Sequence, residues 1–253
     1  MKSLKKYIPC LLLAASPALA VVDIAPEEVG TDPGITGNIA LSYSSKSGNT
    51  DKDEYDVSGK IKYDSNRKYL AFIQGTYEKT NASDVTTENE TLIHARYLYR
   101  LNQETVYAEL FGQYHEDVFQ GIDERWLTGG GLRWRYFYNP DVGKLYIGCG
   151  AFAEDLRYTD DFPGKDETLT RFNSYLAYTC QLSERTEFSV IGYFQPAVDD
   201  THNYYTAINA ELMVHVVSDL HVSLVIEMDR DSQPPEGIEK TDRETKVSLV
   251  WKF

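Results

Sequence analysis

The feature that most constrains this chain is a period-two alternation of apolar and polar residues, which recurs along most of its length. In segment 53–64, for example, Tyr55, Val57 and Tyr63 share one parity, while charged and small polar residues occupy the other. Successive side chains of a β-strand point to opposite faces, so each such segment has one apolar and one polar face. The pattern predicts an all-β protein built from amphipathic strands.

Twelve segments carry this alternation. We predict strands at residues 34–46, 53–64, 68–79, 90–101, 105–116, 124–138, 144–157, 168–182, 186–196, 203–216, 220–229 and 243–253. The third strand is the least regular, because Leu70 and Phe72 fall on its polar face.

The links between these strands carry a second pattern, in which short turns alternate with longer connections. The longer ones fall at residues 80–89, 117–123, 158–167, 197–202 and 230–242. An up-and-down barrel has this arrangement when one rim carries tight turns and the other carries loops. An even strand count places both termini on the tight-turn rim, which faces the periplasm in outer-membrane barrels.

The chemistry of the two faces favours a membrane barrel. A soluble barrel needs an apolar lumen, whereas here the charged face recurs on nearly every strand; a soluble β-sandwich stays open as an alternative. Aromatic residues near the ends of the apolar faces, such as Tyr43, Trp126 and Trp134, resemble an interfacial girdle. We therefore predict an antiparallel up-and-down transmembrane β-barrel of about 12 strands.

The N-terminal sequence predicts export of the protein, and its net charge limits the partners it can bind. Residues 1–20 combine a lysine-rich start, an apolar stretch and the small-residue pattern Ala18-x-Ala20, which predicts a cleaved secretory signal. A short acidic lead at residues 21–33 precedes the barrel at residues 34–253. Cleavage after Ala20 removes three lysines and no acidic residue, which changes the formal net charge from −14 to −17 and excludes nucleic acid as a partner.

Several short motifs add a family resemblance. Segments 37–42 (GNIALS) and 47–50 (SGNT), followed later by DVF, IDER and GGGL between residues 117 and 132, occur in the order typical of one bacterial family. From about residue 35 onward the chain resembles the domain-of-unknown-function family 481, described as salt-induced outer-membrane proteins. Arg133 departs from the family pattern, which has a small residue there. The resemblance implies an outer-membrane barrel without an established activity.

Parity places many charged side chains on the inward face. The candidate lumen-lining residues are Arg96, Arg100, Arg125, Arg133, Arg135, Glu109, Glu154, Arg171, Glu211 and Glu227. In one interpretation they set the selectivity of a narrow passive pore for small hydrophilic or ionic solutes, with the arginines suited to an anionic solute. In the other they form a salt-bridged network that fills a non-conducting structural or surface-interaction barrel. Twelve strands lie between small filled barrels and open porins, so strand number does not decide.

The sequence contains no catalytic or cofactor motif: no phosphate-binding glycine loop, no CxxC and no HExxH. The histidines fall on inward faces or, like His202, in a loop, so none activates an outward serine. We predict a protein that is not an enzyme, with no cofactor and no dedicated metal site.

The expected partners follow from the surface. The apolar face predicts contact with outer-membrane lipid, and the terminal Phe253 resembles the signature read by the barrel-assembly machinery. Acidic residues in the predicted loops, among them Asp117, Asp160 and Asp200, make lipopolysaccharide and divalent cations candidate partners. Cys149 and Cys180 lie on adjacent strands, where cross-strand geometry disfavours a disulfide.

Overall fold

The computed structural model describes residues 26–46, 52–82, 85–102 and 105–253. The predicted secretory signal at residues 1–20 and the start of the acidic lead lie outside these ranges. Within them, no helix has both the length and the apolar character needed to cross a membrane.

The described residues form twelve antiparallel strands. Their bounds are β1 (Gly34–Lys46), β2 (Lys52–Asp64), β3 (Tyr69–Ala82), β4 (Val85–Asn102), β5 (Val106–Asp117), β6 (Ile122–Asn139), β7 (Gly143–Tyr158), β8 (Glu167–Ser183), β9 (Thr186–Pro196), β10 (Tyr204–Val217), β11 (Leu220–Asp231) and β12 (Thr241–Lys252). The strands follow chain order around a closed barrel, in which β1 pairs with both β2 and β12. The predicted fold class and strand number are confirmed.

The last residue completes the closure of the barrel. Residues 38–41 of β1 pair with residues 249–252 of β12. Beyond them, Phe253 donates its backbone N–H to Gly37 O at 2.9 Å and accepts a hydrogen bond from Gly37 N at 2.8 Å. A Cβ at Gly37 would lie 2.8 Å from the Phe253 ring, so the glycine makes room for this aromatic side chain.

The two faces of the wall differ as the alternation predicts. Large apolar side chains such as Leu41, Trp126 and Trp251 are between 52% and 56% exposed on the outside. Charged side chains such as Arg125 and Glu154, both 1% exposed, are buried inside. This apolar exterior around a charged interior suits a lipid environment.

One predicted loop is wrong. The segment 80–89 is mostly strand, because β3 extends to Ala82 and β4 begins at Val85. The alternation fades there into threonine, asparagine and glutamate, but backbone pairing between the two strands continues through a register shift at Thr80 and Asn81. Hydrogen bonding of a hairpin does not require apolar side chains, so periodicity alone underestimates strands that project beyond the apolar band.

Cys149 and Cys180 are not cross-strand neighbours in the register of β7 and β8. Cys149 on β7 faces Ser174 on β8, six residues from Cys180. Both thiols are free.

Two rims result from this connectivity. The tight-turn rim carries both barrel ends and the links 65–68, 140–142, 184–185 and 218–219, whereas the loop rim carries the links 159–166, 197–203 and 232–240. Asp117, which the sequence assigned to a loop, is instead the buried last residue of β5, and its carboxylate caps a short 3-10 helix, Val118–Gln120.

Candidate functional site in the barrel lumen

The acidic lead enters the barrel at the tight-turn rim. We call residues 26–33 the plug segment. Val29 is 2% exposed and packs in a buried cluster with Leu70, Phe72, Leu98 and Tyr107. Leu70 and Phe72, which broke the alternation of the third strand, are thus inward apolar residues that receive the side chain of Val29.

Ion pairs fix the first half of the plug segment to the barrel wall. The Glu27 carboxylate lies 2.6 Å from Lys60 Nζ and 2.8 Å from Lys62 Nζ on β2. Lys62 also pairs with Asp32 at 2.9 Å, so one ammonium group holds both ends of the segment. Burial alone would raise the pKa of Glu27, but the two lysines outweigh it and lower that pKa to about 2.

Three of the predicted lumen arginines bind the same segment. Arg133 donates to Glu27 O at 2.6 Å, and Arg100 donates to Val29 O. Arg135 pairs with the Glu28 carboxylate, whose other oxygen lies 2.8 Å from Lys144 Nζ. The plug segment therefore satisfies much of the basic charge at this rim.

A buried triad occupies the wall nearer the loop rim. Glu154 on β7 lies 2.7 Å from Arg125 on β6 and also pairs with Arg171 on β8. The side chains of all three are at most 2% exposed. Both guanidinium groups lie over the Tyr205 ring, at 4.4 and 4.2 Å from its centroid. One carboxylate thus binds two buried guanidinium groups and neutralises half of their charge.

A third network lies between these two. Glu109 on β5 is 3.1 Å from Arg133 and accepts a hydrogen bond of 2.7 Å from Tyr175 on β8. A Cβ at Gly148 would overlap the Tyr175 ring, so this glycine allows the ring to cross the inside of β7. Arg96 lies 5.8 Å from the Phe111 ring centroid on the same wall.

The opposite wall leaves free space. A cavity of about 250 Å³ runs along β9 to β12 and β1 to β4 and is lined by Glu211 and Glu227 from the predicted set. Its lining contains eight carboxylates and three lysines, namely Glu27, Asp56, Glu78, Glu90, Glu187, Glu211, Glu227, Glu244, Lys60, Lys246 and Lys252. Lys246 pairs with Asp56 at 3.5 Å, with Glu244 at 3.1 Å and with Glu78.

Three side chains with metal-ligating atoms meet on the inner wall near the loop rim. One ligand atom each from Glu90, His115 and Asp117 lies within 4.8 Å of the others, and all three residues are buried. His115 Nε2 is 2.9 Å from Glu90 Oε1.

The structure thus places all ten predicted residues on the inner face but divides them. Arg100, Arg125, Arg133, Arg135 and Arg171 bind Glu109, Glu154 or the plug segment, Arg96 lies over the Phe111 ring, and Glu211 and Glu227 line the cavity. Sequence reasoning missed the plug segment and the acidic residues Asp56, Glu78 and Glu90. The misplaced Leu70 and Phe72 were the available signal, since an apolar patch on a polar inner face requires an apolar partner.

A closed antiparallel barrel with an apolar exterior and a charged interior belongs to the class of transmembrane β-barrels. This chain belongs to the family described as "Protein of unknown function, DUF481", which it matches over residues 39–253. The resemblance stated from its motifs is confirmed. Among curated proteins, none matches the chain significantly.

Solved outer-membrane barrels share the fold. An outer-membrane channel from Pseudomonas putida F1 is 11% identical with a TM-score of 0.53, covering 91% of this chain and 100% of its own. The NanC porin is 12% identical with a TM-score of 0.51, covering 85% of this chain and 98% of its own. The translocator domain of the autotransporter NalP from Neisseria meningitidis is 9% identical with a TM-score of 0.50, covering 88% and 90% respectively. Identities this low establish the architecture alone.

Proposed function

We propose that this protein resides in the outer membrane as a narrow passive pore for small hydrophilic cations, with the plug segment restricting its periplasmic end. The observation that carries the proposal is the elongated acidic cavity beside the filled half of the lumen. Its lining includes residues from Glu244 to Lys252 on β12, roughly 26 Å of strand at about 3.3 Å per residue.

The charged residues that line the cavity favour the passage of cations over that of anions. Carboxylates outnumber lysines by eight to three in the cavity lining. A passage lined by one sign of charge within low-dielectric walls concentrates counter-ions of the opposite sign. The anionic solute suggested by the arginines loses support, because five of the six bind Glu109, Glu154 or the plug segment and none of the six lines the cavity.

The volume of the cavity favours the passage of small solutes. A volume of about 250 Å³ spread over most of the lumen length leaves room for water and small ions. The plug segment narrows it further, since the carboxylate of Glu27 lies in the lining at the tight-turn rim. In the proposed orientation this rim faces the periplasm.

The proposal extends to the surroundings of the barrel. The apolar exterior would contact membrane lipid, and exposed loop carboxylates such as Asp160 and Asp161 would meet lipopolysaccharide through bridging divalent cations. Phe253, whose side chain is 53% exposed, would present the assembly signal to the barrel-assembly machinery before closing against Gly37.

Single-channel recording in a planar bilayer tests the pore directly. The folded protein, verified by heat-modifiable gel mobility, should give small conductance steps, and a salt gradient should give a reversal potential that favours cations. Charge-selective permeation of anions would overturn the proposal. No conductance, even after the plug contacts are removed, would favour the non-conducting salt-bridged barrel instead.

A further inference from the structure

We propose that Glu90, His115 and Asp117 form a binding site for a divalent transition-metal ion on the inner wall of the barrel. The site is independent of whether the lumen conducts. It lies where β4 and β5 meet near the loop rim, on the wall shared with the acidic cavity.

The strand register builds the cluster. Glu90 on β4 is the direct cross-strand partner of Asp117 on β5. His115 precedes Asp117 by two residues and therefore points to the same inner face. Because three residues of one strand pair converge, the wall itself holds the ligand atoms within 4.8 Å of one another.

Two buried polar atoms at this point have no partner among the described residues. His115 Nδ1 and Asp117 Oδ2 each lack a hydrogen bond, although both residues are 0% exposed. His115 Nε2 faces Glu90 Oε1 at 2.9 Å, a hydrogen bond that an ion held between them would replace, and Asp117 Oδ1 accepts the N–H groups of Phe119 and Gln120 at 3.0 and 3.1 Å. Burying a polar atom without a partner is unfavourable, so Asp117 Oδ2 is available to a cation held beside His115 and Glu90.

The surrounding charge also favours a cation. Asp229 is 2% exposed, both of its carboxylate oxygens are unpartnered among the described residues, and it interacts electrostatically with Glu90. The nearest guanidinium, that of Arg125 opposite His115, is bound by Glu154 at 2.7 Å. The cluster therefore brings carboxyl groups together beside a guanidinium group that is held on Glu154, which it shares with Arg171.

The donor set selects the class of metal. An imidazole nitrogen suits Zn²⁺, Fe²⁺ or Ni²⁺, whereas Ca²⁺ and Mg²⁺ prefer oxygen ligands alone. One nitrogen with two carboxylates therefore points to an ion such as Zn²⁺. Glu90 also lines the cavity, which gives a hydrated ion a route to the site from the lumen.

Calorimetric titration of the folded full chain with Zn²⁺ tests the site. We expect saturable binding with a single high-affinity component, and weaker or absent binding of Ca²⁺. Replacing the imidazole in His115→Gln, or the charge in Asp117→Asn, should weaken Zn²⁺ binding by about tenfold or more. Asn retains the capping oxygen for the 3-10 helix, so the second variant removes the ligand charge with little change to the fold.

Two controls make the outcome decisive. His94→Gln removes another fully buried inner histidine, which bonds Gln113 at 3.1 Å and lies outside the cluster, and it should leave Zn²⁺ affinity unchanged. His202→Asn removes the exposed Asp200–His202 pair, and it should remove only weak binding. Absence of saturable Zn²⁺ binding by the wild type, or equal affinity in His115→Gln and Asp117→Asn proteins that retain folded-gel mobility, would overturn the proposal.

Discussion

The carboxylate of Glu27 lies 2.8 Å from Nζ of Lys62, joining the N-terminal segment to the inside of the second strand. Because Lys60 lies within 2.6 Å of the same carboxylate, one side chain of the plug segment neutralises two lysines of the lumen. This contact holds the plug segment against the inner wall at the tight-turn rim.

The position of the plug segment should depend on pH only in strong acid. The folded-state pKa of Glu27, about 2, lies below its ordinary value of 4.5, so its stabilising contribution is fully present above pH 4.5. That contribution is lost as the pH falls from 4.5 through about 2. Hydrogen-exchange protection of residues 27–32, measured relative to β5, should be constant from pH 7 to 5 and decline below pH 4. Constant relative protection down to pH 2 would contradict this assignment.

The Arg125–Glu154–Arg171 triad should contribute strongly to stability. Glu154→Gln removes the carboxylate that lies between two buried guanidinium groups, which should lower the free energy of unfolding by about 3–5 kcal/mol. The matched control is Glu124→Gln, whose ion pair with Arg157 is exposed and 3.9 Å long, and which should change stability by about 1 kcal/mol or less. Urea titration in lipid vesicles measures both, and equal effects would argue against a structural triad.

A steric test addresses the network around Glu109. Gly148→Ala would force the Tyr175 ring to move and would break its hydrogen bond to Glu109, with an expected loss of about 1–3 kcal/mol. Gly192→Ala is the control, because its nearest neighbour would be 3.9 Å away. If both alanine variants unfold at the same urea concentration, Tyr175 is not confined as described.

The cavity carboxylates should set ion preference. Both Glu211 and Glu227 line the free path, so the double variant Glu211→Gln/Glu227→Gln should shift the reversal potential toward zero. Glu124→Gln, on the same barrel but outside the cavity, should leave it unchanged. An unaltered reversal potential in the double variant would place the conducting path elsewhere.

The sequence predicted the wall of this barrel better than its contents. Strand alternation placed Arg125, Glu154 and Glu211 on the inner face, because parity depends only on neighbouring residues. It could not predict that Glu27 meets Lys62, since that contact requires the closed barrel to bring residues 35 positions apart together. The same reason applies to Leu70 and Phe72. They break the apolar–polar alternation of β3, and their position is explained by contact with Val29, which enters the lumen from outside the strands.

The most direct test of the account compares single-channel currents of the wild type and of the double variant Glu27→Gln/Glu28→Gln under a salt gradient. The double variant removes the carboxylates that bind Lys60, Lys62, Arg135 and Lys144 and, apart from Glu27 itself, leaves the cavity lining unchanged. We expect small cation-selective steps for the wild type and larger, still cation-selective steps for the variant. Equal conductance in the two proteins, or anion preference in either, would contradict this expectation.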